Sequence, residues 1–197
     1  MEINISTGFD EAERNTVARL YWRAFGQKLG RVLGPDDQAL AFLCAVLDPA
    51  FALVAQNGAG EVIGVAGFTT SKGALVGGQF SDLTRHYGYW GGTWRALTLS
   101  VLERAVPETL LLMDGICVSS ASRGLGAGAA LLSAIKSKSS ELELNGVRLD
   151  VIDTNPRARK LYEREGFVAH RTEHTGPFKY LFKFDKATQM IWRSAPG

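Results

Sequence analysis

Residues 116 to 128 read Ile-Cys-Val-Ser-Ser-Ala-Ser-Arg-Gly-Leu-Gly-Ala-Gly, and an apolar run at helical spacing, Ala129, Leu131, Leu132 and Ile135, follows at once. That order requires a strand, a glycine-rich turn and a helix. Glycines at 124, 126 and 128 remove the side chains that would keep a ligand off the backbone. The N–H groups opening the helix can therefore converge on an anion where the helix dipole is positive. The turn is suited to phosphate. A P-loop would end in Gly-Lys-Ser or Gly-Lys-Thr, whereas Gly128 is followed by Ala129 and Ala130. A dinucleotide fingerprint, Gly-x-Gly-x-x-Gly, fails at residue 129, which is Ala. Neither nucleotide pattern fits.

A glycine turn by itself is a weak signal, because any tight strand-to-helix connection can use glycine for packing. A second element stands downstream, Asp153-Thr-Asn-Pro-Arg-Ala-Arg-Lys-Leu-Tyr-Glu-Arg-Glu-Gly-Phe167. Asn155 suits an N-cap, Pro156 the first helical position and Gly166 a left-handed stop, which predicts a short helix over 156–165 with Ala158, Leu161 and Tyr162 on its apolar face. Taken together, Arg123-x-x-Gly126-x-Gly128 after a strand resembles motif A of the GNAT acetyltransferase superfamily. Residues 155 to 167 resemble its motif B, Asn-x-x-Ala-x-x-Leu-Tyr-x-x-x-Gly-Phe, position for position. The two motifs come in the family's order and spacing.

At 197 residues and 46% apolar content the chain fits one domain over 1–197 with a sizeable core. A formal charge of +2, spread evenly, argues against a polyanion partner, so nucleic acid is not expected. Cys44 and Cys117 fall in predicted buried elements without metal spacing, which fits reduced thiols and no metal site. The start, Met1-Glu2-Ile3-Asn4, lacks a basic region and a long apolar stretch, and no window reaches the length of a membrane span. A cytoplasmic location without membrane contact is the expectation.

Along the chain, Ile3 and Ile5 predict a first strand. Asp10 to Glu13 resembles a capping box opening a helix that carries Val17, Leu20, Tyr21, Ala24 and Phe25. Pro35 and Asp36 open a second helix with Ala39, Phe42, Leu43 and Val46, ended at Asp48-Pro49. Phe51 to Gln56 and Glu61 to Thr69 read as a hairpin around Asn57-Gly58-Ala59-Gly60. Residues 72 to 93 look irregular, with six glycines among Phe80, Tyr87, Tyr89 and Trp90. Trp94, Leu97, Val101 and Leu102 restore a helical period until Pro107. Leu110 to Val118, Val147 to Ile152, Val168 to Glu173 and Thr188 to Arg193 complete the strands. Thr175 to Lys186 reads as a loop in which Phe178 to Phe184 could be a further strand. The fold class is α/β, a mixed central sheet of about seven strands flanked by helices, which agrees with the GNAT acyl-CoA acyltransferase fold.

The resemblance implies an acetyl-CoA-dependent N-acetyltransferase working by direct transfer through a tetrahedral intermediate, with no metal. It implies that the loop Arg123, Gly124, Leu125, Gly126, Ala127 and Gly128 holds the pyrophosphate of acetyl-CoA. It also implies that the pantetheine arm pairs with the backbone of Ile116, Cys117 and Val118, and that Asn155 and Arg159 contact the cofactor. Tyr162 occupies the position of a tyrosine that faces the CoA sulfur, where a phenol can protonate a departing thiolate. Its ordinary alternative is a core tyrosine.

The general base is less legible. An alternating strand would place Asp114 on one face with Ile116 and Val118, near the acyl group, and a carboxylate inside an apolar strand is costly unless paired. Glu173, His174, Asp82 and His86 are further candidates whose ordinary reading is a solvated loop residue. Cys117 has apolar neighbours and no nearby histidine in sequence, so a covalent acyl-enzyme lacks support. The acceptor expected is a small-molecule amine, with apolar walls from aromatic residues of the first helices and of the 175–186 loop and with part of 72–93 lining the pocket, and a homodimer is the expected assembly if there is one. The competing class is a GNAT-fold acyl-CoA sensor without useful turnover.

Overall fold

The computed structural model describes residues 2–100 and 106–194, and among them the side chains of all but residues 27, 28 and 178. Strand β1 (Ile3–Thr7) leads into α1 (Glu11–Leu33). The capping box forms in full, with Glu13 N donating to Asp10 Oδ1 at 2.9 Å and Asp10 N donating to Glu13 Oε2 at 3.0 Å. Helix α2 (Asp36–Val46) buries Ala39, Phe42, Leu43 and Val46. The hairpin of β2 (Ala52–Asn57) and β3 (Val62–Thr70) turns at Asn57, whose side chain accepts from Ala59 N and Glu61 N. All these elements lie where the sequence places them.

Two segments differ from expectation. Residues 72–93, read as irregular, contain a two-residue strand β4 (Gly73–Ala74) and the first half of α3 (Phe80–Ser100), which breaks at Gly88 with φ 71°. Glycine masks the helical signal there because its cost argues against a helix, and only at Gly88 does the chain use the left-handed conformation that glycine permits. The predicted contribution of Val101 and Leu102 lies outside the described residues. No strand forms over 178–184: a 3-10 turn, Gly176–Phe178, runs into α6 (Lys179–Phe182), whose Phe182 packs with Phe184 and Val32.

The remaining elements are β5 (Leu111–Val118), α4 (Ala127–Glu141), β6 (Gly146–Ile152), α5 (Pro156–Arg164), β7 (Val168–His174) and β8 (Lys186–Arg193). The sheet has eight strands in the order β1-β2-β3-β5-β6-β8-β7, with β4 on the end of β3. The sequence-based count was about seven, and the short β4 is the addition. All pairings are antiparallel except β5 with β6.

Each face of the sheet has its own core. Helices α4 and α5 cover one, where Leu131, Leu132 and Ile135 meet Phe68, Leu111, Met113, Leu149, Tyr162 and Met190. Helices α1 to α3 cover the other, where Val17, Leu20, Phe42 and Leu43 meet Val54, Val65, Leu75 and Cys117. Cys44, expected to be buried, is half-buried on α2. Tyr89 and Trp90 lie on the outer side of α3 at 66% and 84% exposure.

Candidate active site

The sheet opens in its middle. Strands β5 and β6 pair only through Leu111 with Val147 and Leu112 with Arg148, after which the two edges part. On its other side β5 stays paired with β3 as far as Val118 opposite Gly64. The backbone of Ile116, Cys117 and Val118 therefore presents an edge toward the opening that no strand fills. A bulge helps to turn β5 away: Gly115 faces Gly67 but Met113 faces Phe68, leaving Asp114 as the extra residue.

The bulge corrects the expected face of Asp114. Ile116 and Val118 pack with the α4 and α5 core. Asp114 instead accepts a hydrogen bond from Thr69 Oγ1 at 2.6 Å and lies close enough to Tyr21 of α1 to raise its pKa. Strict alternation is lost at a bulge, so Asp114 belongs to the α1 side. There it neighbours Phe25, whose ring covers Gly115 so closely that a Cβ would collide with it.

The glycine turn sits at the end of β5. Gly124 and Gly126 hold φ of +84° and +94°, a region that side chains disfavour. A Cβ on Gly124 would meet nothing within 4 Å, and one on Gly126 only Ile3 Cδ1 at 3.9 Å. The surface above the turn is open. Gly126 caps α4 without a side-chain bond, and the first helical bond runs from Ala130 N to Gly126 O. The N–H groups of Ala127, Gly128 and Ala129 thus have no hydrogen-bond partner among the described residues and point out of the helix start. A diphosphate fits such a cradle. Gly128 serves packing instead, since a Cβ there would press to 3.2 Å from Leu161 Cδ2 of α5. Arg123 and Leu125 are exposed beside the turn.

Helix α5 forms as its caps require. Asn155 Oδ1 accepts from Ala158 N at 3.2 Å, Pro156 opens the helix and Gly166 closes it at φ +85°. Tyr162 is 5% exposed, with its ring 6.0 Å from that of Phe167. Burial, and the nearby Cys117 thiol should it ionise, push its pKa well above the usual phenol value, so Tyr162 keeps its proton. Its hydroxyl has no hydrogen-bond partner among the described residues. Arg159 pairs with Glu163 at 2.9 Å and lines a cavity of about 350 Å³ with Asp153, Pro156, Thr172, Lys186 and Thr188, on the β7 and β8 side of α5.

Cys117 is buried, and burial raises its thiol far above the ordinary value. It is no thiolate nucleophile. The other candidate bases have structural engagements. Asp82 accepts from Gln79 N at 2.9 Å at the start of α3, and His86 meets the Phe42 ring edge-on at 5.9 Å. Glu173 pairs with Arg171 at 3.3 Å, and His174 lies 3.9 Å from Asp185, all on or beside the exposed edge strand β7. Tyr21 and Phe25, which the structure brings beside the β5 bulge, enter the sequence reading only as positions on the first helix. Their only trace is a helical spacing that also fits plain core.

No group of three or more potential metal ligands occurs among the described residues, and no helix among them is long and apolar enough to cross a membrane. A mixed sheet that forks beside a glycine turn, with a capped tyrosine helix across the gap, forms a crevice of the kind in which open α/β sheets take ligands. The family model for the acetyltransferase (GNAT) family matches residues 14–167, and the chain belongs to that family.

Solved structures agree on the fold. An N-acetyltransferase from Staphylococcus aureus Mu50 aligns with a TM-score of 0.68 at 17% identity, covering 96% of this chain and all of that one. Ard1 from Thermoplasma volcanium gives 0.64 at 17%, covering both chains fully. YncA from Salmonella typhimurium, solved with its cofactor acetyl-CoA, gives 0.59 at 17%, covering 99% and 98%. Comparison with curated protein sequences found no significant match.

Proposed function

We propose that this chain, acting as one catalytic domain, transfers the acetyl group of acetyl-CoA to a primary amine of a small molecule by direct attack. The observation that supports the reading is the fork between β5 and β6 beside the glycine turn at Gly124 to Ala129, with Tyr162 near Cys117 of β5 and Asp114 at the β5 bulge. The N–H groups of Ala127 to Ala129 would hold the diphosphate, and the open edge of Ile116 to Val118 would pair with the amides of the pantetheine arm as a strand would.

The chemistry follows from the two flanks. The amine nitrogen forms a bond to the thioester carbon and the C–S bond breaks. The departing thiolate takes the phenol proton of Tyr162, which burial keeps in place until then. The proton lost by the amine passes to Asp114 or to water. Asn155 acts through position, since its cap fixes the start of the helix that carries Tyr162.

The test is thiol release from acetyl-CoA over a panel of primary amines, with the product identified by mass. Turnover with an N-acetylated product is expected. Tight acetyl-CoA binding without thiol release for any amine would instead support a sensor.

A further inference from the structure

Tyr21 lies on α1 one turn before Phe25, and their rings are 4.5 Å apart. Phe25 rests on Gly115, where no side chain would fit, so this stretch of α1 lies directly over the bulge of β5. Tyr21 packs with the same core as Cys117 and is near enough to Asp114 and Cys117 for both to weigh on its ionisation. Tyr21 is half-buried, and its hydroxyl has no hydrogen-bond partner among the described residues.

Tyr162 reaches the surroundings of Cys117 from the opposite layer, on α5. Two phenols thus bracket the opening of the sheet, one from each face. The cradle belongs to α4, in the same layer as Tyr162, so the acyl carrier and its sulfur belong on that side. The α1 side is left for the acceptor.

We propose that Tyr21 is an acceptor-binding residue whose phenol oxygen accepts an N–H of the incoming primary amine, beside Asp114, and so turns the nitrogen lone pair toward the thioester. The inference rests on the acetyltransferase reading above. It differs from a core role in what it predicts: a core tyrosine contributes packing, which Tyr21→Phe would keep.

The experiment compares wild type, Tyr21→Phe and Tyr87→Phe with 2-phenylethylamine, 1,5-diaminopentane and glycine as acceptors, fitting KM for acceptor and for acetyl-CoA separately. Tyr87 donates its hydroxyl to Leu33 O at 2.7 Å in the same layer, so Tyr87→Phe reports the loss of a structural hydroxyl. For each amine that wild type acetylates, Tyr21→Phe should raise the acceptor KM roughly tenfold, the scale of one hydrogen bond to a polar group. The acetyl-CoA KM and the melting temperature should stay as in wild type, and Tyr87→Phe should lower only the melting temperature. An unchanged acceptor KM in Tyr21→Phe, or an equal rise in both KM values, overturns the inference and leaves the acetyltransferase reading standing. Wild type that binds acetyl-CoA but acetylates none of the three amines overturns that reading, and this inference with it.

Discussion

Tyr162 buries its ring beside Phe167, and the contributions of ring and hydroxyl are separable by mutation. Tyr162→Phe keeps the contact with Phe167, so acetyl-CoA affinity should hold while kcat falls by roughly 10²-fold or more, the scale of a lost general acid. Steady-state kinetics with an accepted amine checks this, and wild-type turnover would leave Tyr162 a core residue. Gly126 makes the complementary case, with φ +94° and open space above it. Gly126→Val should abolish measurable acetyl-CoA binding in calorimetry while circular dichroism still reports a folded protein, because the branched side chain stands where the diphosphate would lie. Unchanged affinity in that variant would remove the cradle from the site. Both residues were visible in the sequence through their motif surroundings. The orientation of Asp114 was not, because a bulge inverts the alternation on which any strand-face reading depends, and nothing in Met-Asp-Gly announces one.

Among the elements, α4 and α5 approach each other at Gly128 and Leu161. A Cβ at Gly128 would stand 3.2 Å from Leu161 Cδ2, so Gly128→Val must push α5 outward or strain the contact. Overpacking of this kind costs about 1–3 kcal/mol. The variant should melt earlier and also lose kcat, since Tyr162 lies one residue past Leu161. Thermal denaturation and turnover measured together check it, and an unchanged melting temperature would mean that the two helices already yield. The caps of α5 and the box opening α1 were legible because they are local patterns of side chain and backbone. The first half of α3 was not. Its packing against α2, through Phe42 with His86 and Tyr87, supplies what its glycines withhold.

At the scale of the whole molecule, the fork joins two cores that the sequence could order but not assign. Periodicity shows that α1 and α5 each have an apolar face, while only the sheet order shows that they cover opposite sides. That arrangement brings Tyr21, Cys117 and Tyr162 into one poorly solvated region, where burial raises all three pKa values. The consequence for stability has a definite sign. A group whose pKa is raised on folding keeps its proton when the unfolded chain has lost it, so its contribution is complete below the unfolded value and declines as pH climbs toward the folded one. The window opens near the ordinary thiol value of 9.0 for Cys117 and near the ordinary phenol value of 10.0 for Tyr162. Above it each such group should cost about 1.4 kcal/mol per pH unit. Urea unfolding between pH 8 and pH 11 should therefore show stability level at first and then falling. In Tyr162→Phe the fall above the phenol value should be shallower by one group's share. An alkaline limb as steep in that variant as in wild type would show that the Tyr162 hydroxyl is solvated in the folded state, and would take from it the retained proton on which its role as an acid depends.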